Sequence, residues 1–143
     1  MIGLGNTDGD RAAFTVAPTD EPFTTTFRFD WVAPPLSLNY RMHRFEKSRI
    51  TKQLRALMKK KAKHLPHMAR CRVSLVWVVT DKKRRDEDNI VETLKPLCDG
   101  LVDAGVVKDD TKKFMDKDMP AIRWIDKAID FAHFEFTITE VHA

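Results

Sequence analysis

The chain has 143 residues, 43% of them hydrophobic and 32% charged, with a formal net charge of +4. That length favours a single domain able to bury a core of its own. No apolar run approaches the roughly 20 residues that a membrane-spanning helix needs, and the start lacks a basic-then-apolar leader pattern. The two cysteines, Cys71 and Cys98, form no CxxC pair and no secreted disulfide pattern, so packed thiols in a reducing cytoplasm are expected.

Residues 1–22 are rich in Gly, Thr, Asp and Pro and show no period, which predicts a loose tail. The folded domain is then 23–143. From Phe23 to Ala33 the chain alternates, with Phe27, Phe29 and Trp31 on one face and Arg28 and Asp30 on the other, as in a half-buried strand. Pro34-Pro35 ends it, because proline donates no ladder hydrogen bond. Leu36 to Lys47 is polar and aperiodic and reads as a loop. From Ser48 or Thr51 to about Leu65, Leu54, Leu57, Met58, Ala62 and Leu65 form one apolar stripe of a helix, with Ser48 or Thr51 as its N-cap. Pro66 marks its end.

Cys71 to Thr80 is the clearest strand. Val73, Leu75, Trp77 and Val79 line one face, and Val76 and Val78 make the other apolar too, which predicts a central strand. A second helix follows Asn89. Pro96 is awkward in a helix interior, so the expected start is near Thr93, with Pro96 in the first turn. Leu94, Leu97, Leu101 and Val102 would form the buried stripe and Gly105 the stop. Thr111 to Asp118 reads as a short helix or an irregular connection. Ala121–Asp126 and Asp130–Val141 alternate and look like a hairpin. The order β-α-β-α-β-β predicts an α+β fold: one two-layer domain, with a mixed sheet of about four strands packed by two main helices.

Charge is unevenly placed. Ten Lys/Arg lie between Arg41 and Lys63 against one acid, Glu46, and Lys82, Lys83, Arg84 and Arg85 are consecutive. Such clusters attract phosphate by Coulomb forces and counterion release. Arg41, Arg44, Lys47, Arg49, Lys52 and the 82–85 run are candidate contacts to a DNA backbone. The plainer alternative is a solvated helix face. Most aromatics follow strand periods and belong to a core; Tyr40 and Phe45, set among cations, are the exceptions.

From Asp86 to Asp110 the sign reverses, with eight acids and two bases. On an extended segment Asp86 and Asp88 would share one side. Two carboxylates at a strand end make half of a hard-cation site suited to Mg²⁺ or Mn²⁺. A strand–helix–strand unit would return Asp109 or Asp110 as a third ligand. Against this, Asp88 or Asn89 would simply cap a helix, and Asp109-Asp110 would form a turn. Lys95 would stabilise charge developing on a phosphate oxygen, or else pair with Asp99 four residues on. There is no zinc spacing, phosphate loop, dinucleotide fingerprint or nucleophile elbow.

The segment Arg84–Asp110, RRDEDNIVETLKPLCDGLVDAGVVKDD, resembles the RusA-type Holliday-junction resolvases of bacteria, prophages and phages. The shared pattern is a basic run, D-x-D-N, a helix with a lysine and an Asp-Leu pair, a glycine, and Asp-Asp. Pro34-Pro35-Leu36-Ser37-Leu38-Asn39 is similar to that family's early P-P-S-x-N loop, and Thr137–Glu140 to its last strand. The resemblance implies a homodimeric, Mg²⁺-dependent endonuclease that cuts four-way branched DNA. Asp86, Asp88 and Asp110 would hold metal and Lys95 would be the catalytic lysine. The sequence departs from the pattern in the spacing of that lysine. Five residues, Ile90 to Leu94, separate it from Asn89, and Pro96 follows it, which leaves Arg85 as the other candidate for its role. Nucleases for flaps or forks, and a non-catalytic DNA-binding module, are the competing expectations.

Overall fold

The computed structural model describes residues 22–142, so the expected tail lies outside the described residues. The elements are β1 (Thr24–Phe29), α1 (Arg44–Lys61), β2 (Cys71–Val79), a 3₁₀ turn (Glu87–Ile90), α2 (Val91–Asp103), β3 (Met115–Lys117), β4 (Ala121–Trp124) and β5 (His133–Glu140). The fold is the α+β, two-layer arrangement that the alternation and helical stripes predict. Its mixed sheet has five strands. The extra one, β3, forms within the stretch that reads as a short helix or an irregular connection.

β2 is central. It pairs antiparallel with β5 on one side and parallel with β3 and then β4 on the other, and β1 closes the far edge against β5. The expected hairpin between the last two strands does not form. β4 and β5 lie on opposite sides of β2, although each alternates as a hairpin arm would. Alternation reports a half-buried strand; it does not report the neighbour.

The core lies between one sheet face and the two helices. Phe134, Phe136 and Ile138 of β5 and Val73 and Leu75 of β2 meet Met58 and Ala62 from the α1 side and Leu97 and Leu101 of α2. Cys71 and Cys98 are buried there as free thiols, and burial pushes them up to about 11 and about 12. No helix among the described residues is long and apolar enough to cross a membrane.

Both helices begin earlier than the sequence suggests. α1 starts at Arg44, where His43 caps it by accepting from the Phe45 amide at 3.2 Å; Ser48 and Thr51 lie inside the helix. Its first turn is exposed all round, so it carries no apolar period. α2 starts at Val91 because the preceding 3₁₀ turn delivers a chain that is already wound, and Pro96 falls within the helix. Proline forfeits one helical hydrogen bond, offset here by burying Leu94, Leu97 and Leu101 in the core. Gly105 ends the segment at φ 82°, a left-handed conformation natural to glycine, and the Val106 amide donates to Leu101 O.

The two helices touch at Gly100. A methyl there would stand 2.6 Å from Met58 Cβ and 2.7 Å from the Arg55 carbonyl oxygen. Neither neighbour can swing away, since both belong to the α1 framework. Gly100→Ala is therefore expected to destabilise the fold by about 1–3 kcal/mol despite alanine's better helix propensity. A lower urea midpoint with an unchanged m-value would confirm it; an unchanged midpoint would show that the helices separate freely.

Candidate functional site

β2 leaves the sheet at Val79 and the basic run folds back on it. Asp81 Oδ1 accepts from the Lys83 amide at 3.0 Å and pairs with Arg85 Nη1 at 2.8 Å. The Arg85 guanidinium lies 4.8 Å over the Trp77 ring, and Lys82 Nζ lies 4.8 Å over Trp124. Arg85 is thus committed to the protein by an ion pair and a cation–π contact. It is poorly placed to take over the role of a catalytic lysine. Lys83 and Arg84 are exposed.

Asp86 follows in an extended conformation (φ −102°, ψ 128°), and the chain then winds at once into the 3₁₀ turn that contains Asp88 and Asn89. The expectation that an extended segment aligns Asp86 with Asp88 is corrected by this turn. Asp86 is still extended while Asp88 is inside the turn, so the pair does not follow the i, i+2 alternation of a strand. Nor does either residue act as a side-chain cap: Asp86 makes no such bond, and Asp88 and Asn89 are inside the turn.

The 34–40 loop is drawn onto this segment. Thr93, fully buried in α2, donates its hydroxyl to Leu36 O at 2.7 Å and accepts from the Leu36 amide at 3.2 Å. Lys47 of α1 pairs with Glu92 at 2.8 Å. The outcome is a cavity of about 360 Å³ lined by Pro34, Ser37, Asn39 and Tyr40 from the loop and by Arg84, Asp86 and Asn89 from the motif, with Trp77 and Ile90 among its apolar walls. Two stretches some fifty residues apart, both part of the resemblance, share this wall.

A second cluster forms on α2. Lys95 Nζ donates to Asp110 Oδ2 at 2.6 Å and to Asp99 Oδ1 at 3.0 Å, and Lys117 Nζ of β3 reaches Asp110 Oδ2 at 3.2 Å. Lys95 pairs with Asp99 along its own helix, the plainer of its two sequence readings, and also meets the distant Asp110. The hydrogen bond from Lys95, aided by Lys117, holds the Asp110 carboxyl down at about 2, and the same contact raises Lys95. Asp110 is therefore anionic and Lys95 cationic across the neutral range. Asp109 accepts from the Asp110 amide at 2.8 Å, as in an ordinary turn. Lys117 was not a sequence candidate; it stands in the short strand that the sequence does not announce.

The donor chemistry of Asp86, Asp88 and Asp110 suits a hard cation such as Mg²⁺. Among the described residues, however, no three Asp, Glu, His or Cys stand close enough to hold a metal ion. Asp86 and Asp110 line different cavities, the latter with Arg72, Lys112 and Lys117. The reason is topological. β2 and β3 run parallel, so the chain that returns from α2 arrives at the beginning of β2, where Met115 pairs with Cys71 and Lys117 with Val73. Asp86 shares its cavity with Trp77, four residues, about 13 Å, further along β2. A strand–helix–strand unit does not bring the returning chain to the strand end it left.

The other cationic candidates divide. Arg49 pairs with Glu46 at 3.5 Å, and Arg44 lies 5.1 Å over Phe45. Among the described residues Arg41, Lys52 and Arg84 have no acidic partner. Arg41, Arg44, Lys47, Arg49 and Lys52 lie at or just before the first turns of α1, where the helix dipole adds positive potential.

No family model matches the chain, and no curated protein matches it. Among solved structures, hydrogenase maturation protein HypE is similar at 13% identity and a TM-score of 0.34 over 92% of this chain. HypE in complex with ATP is similar at 16% identity and the same TM-score, again over 92% of this chain. The chain spans about a third of the length of those structures (35% and 34%). A likeness this slight carries no argument about what the chain does.

Proposed function

We propose that this chain is a Mg²⁺-dependent, structure-selective endonuclease that resolves four-way DNA junctions by paired nicks, acting as a homodimer. The observation that carries the reading is the Lys95–Asp110 contact. These two residues, 15 apart in the chain, are the ones to which the RusA resemblance gives a shared site, and they lie 2.6 Å apart despite the altered spacing after Asn89. Exposed cations on α1 and in the 82–85 run would hold the DNA backbone without reading sequence. Paired nicks across a twofold junction call for two sites, which a symmetric dimer supplies.

Asp86, Asp88 and Asp110 would hold the cation, and they would have to draw together to do so. When bound it would supply an activated water and charge neutralisation at the scissile phosphate. The chain's own contribution is a lysine held cationic beside that carboxylate, and a basic face that orients the strand.

A second reading, a non-catalytic DNA-binding module, is favoured by one observation. Asp110 is already neutralised by two lysines, and the three carboxylates are not gathered. Labelled four-way junction, flap, fork and linear duplex, each incubated with the chain in Mg²⁺ and in Mn²⁺, separate the possibilities. Symmetric nicks confined to the junction support resolution. Cutting of flaps or forks moves the substrate. Salt-sensitive binding with no cut in any substrate leaves the binding module.

A further inference from the structure

The cavity between the 34–40 loop and the 84–90 segment shares Asp86 with the proposed cation site, but its other residues take no chemical step in the proposed hydrolysis. Two side-chain amides, Asn39 and Asn89, line it, and among the described residues neither amide group has a hydrogen-bond partner. Each offers two donors and an acceptor. Pro34, Ile90 and the edge of Trp77 supply apolar, partly flat wall, and Ser37, Arg84, Arg85 and Asp86 supply polar and charged groups. The faces of the Trp77 ring are already taken, by Arg85 at 4.8 Å and by Phe134 stacked at 5.6 Å.

Tyr40 differs. Its hydroxyl donates to Pro34 O at 2.8 Å, which fixes the ring at the cavity mouth, and the residue is 41% exposed. A fixed aromatic ring with solvent beside it is a stacking platform. Arg84, also on the wall, is an exposed cation without an acidic partner among the described residues, while Asp86, likewise exposed, places negative charge two residues further along the same wall. A phosphate would be repelled at Asp86 and attracted at Arg84. A neutral, flat, hydrogen-bonding ring suits Tyr40 and the two amides, and its phosphate suits Arg84. At about 360 Å³ the space is at the lower end of the about 300–1,000 Å³ typical of small-ligand sites, enough for one nucleotide and too little for a duplex.

We infer that this cavity takes a single unstacked nucleotide of the DNA, its base on the Tyr40 ring with its edge read by Asn39 and Asn89, and its phosphate at Arg84. The inference rests on the chain acting on branched DNA, and it adds a site that senses an unpaired base at the crossover.

The test uses the full chain and a series of four-way junctions, each lacking one base at or beside the crossover. For the native chain, one abasic position is expected to weaken binding by about 5- to 150-fold relative to the intact junction, the range for a single base–aromatic stack. Tyr40→Phe keeps the ring and is expected to keep that sensitivity. Tyr40→Ala is expected to bind intact and abasic junctions alike. Arg84→Ala is expected to lower the slope of log affinity against log salt by about one, with the abasic penalty retained. Asn39→Ala, on a loop surface, is expected to flatten any preference among the four bases at the sensitive position. If the native chain binds every abasic junction as tightly as the intact one, or if Tyr40→Ala keeps the penalty, the nucleotide pocket is overturned while the junction reading stands. If the native chain binds no branched DNA at all, the proposed function falls, and the pocket falls with it.

Discussion

Lys95→Met is expected to nick a four-way junction in Mg²⁺ about 100- to 1,000-fold more slowly than the native chain, with junction affinity within a few-fold. The magnitude is that of removing one preorganised electrostatic donor from the place where charge develops. Lys95 would be one of many cations near a bound DNA backbone, so its expected share of ground-state binding is small. The loss would appear in the rate at saturating junction, the mark of an interaction made in the transition state. Lys95→Arg is expected to recover little, because a planar guanidinium cannot replace an ammonium held between Asp110 at 2.6 Å and Asp99 at 3.0 Å. Asp99→Asn removes only the partner along the helix and is expected to change the rate by less than about tenfold. Arg85→Met is the informative control, since Arg85 is held by Asp81 and Trp77. Native nicking by Lys95→Met, together with loss in Arg85→Met, would transfer the role to Arg85 and leave Lys95 as an ion-pair residue.

The parts of the fold that show in the sequence are those where burial sets a period. β2 is apolar on both faces from Leu75 to Val79, and it has neighbours on both sides. Phe134, Phe136 and Ile138 alternate in β5 and are all fully buried. Gly105 marks the end of the second helical segment and adopts the positive φ that this role requires. What was not legible has no period to read. The first turn of α1 is exposed on every side. β3 has three residues, and its strand character comes from pairing with Cys71–Val73. β4 alternates, but its partner is β2 in parallel, a choice made by the path of the whole chain.

The candidate site divides along the same line. The identities of the charged residues were plain, and so were the two rival uses of Lys95. Their spatial grouping was not, because it depends on which end of β2 the returning chain reaches. The parallel crossover sets Asp110 beside Lys95 and Lys117, and it leaves Asp86 with Asn39, Tyr40 and Asn89 in a separate cavity. Lys117 and the Thr93–Leu36 tie have no sequence signature. A lone lysine or threonine gains its role only once a strand or loop is placed beside it.

Phe134→Ala is expected to destabilise the fold by about 3–5 kcal/mol. Phe134 is fully buried in β5, directly opposite both Phe29 of β1 and Trp77 of β2. Its ring stacks on Trp77 at 5.6 Å and meets Trp31 edge-on at 5.7 Å, and Trp31 in turn stacks on Phe29 at 4.4 Å. Truncation removes apolar burial, leaves a cavity that a sheet cannot close, and breaks two aromatic pairs worth about 0.5–1.5 kcal/mol each beyond their area. That loss is a large share of the about 5–15 kcal/mol typical of a domain, so the variant is expected to purify poorly. Phe134→Leu keeps most of the volume and serves as the milder version, with a smaller fall in urea midpoint. Phe131→Ala is the matched control, since that phenylalanine is 74% exposed and its loss is expected to change stability by no more than about 0.5 kcal/mol. A site effect should accompany the stability effect. Trp77 lines the cavity beside the 34–40 loop and carries Arg85 over its ring, so a slackened Trp77 would loosen the 82–86 turn. Phe134→Leu, at a temperature where it is fully folded, is therefore expected to bind junctions more weakly than Gly100→Ala does under the same conditions. Equal binding by the two variants would show that the aromatic stack supports the core alone and that the turn holds its shape through Asp81 and Arg85.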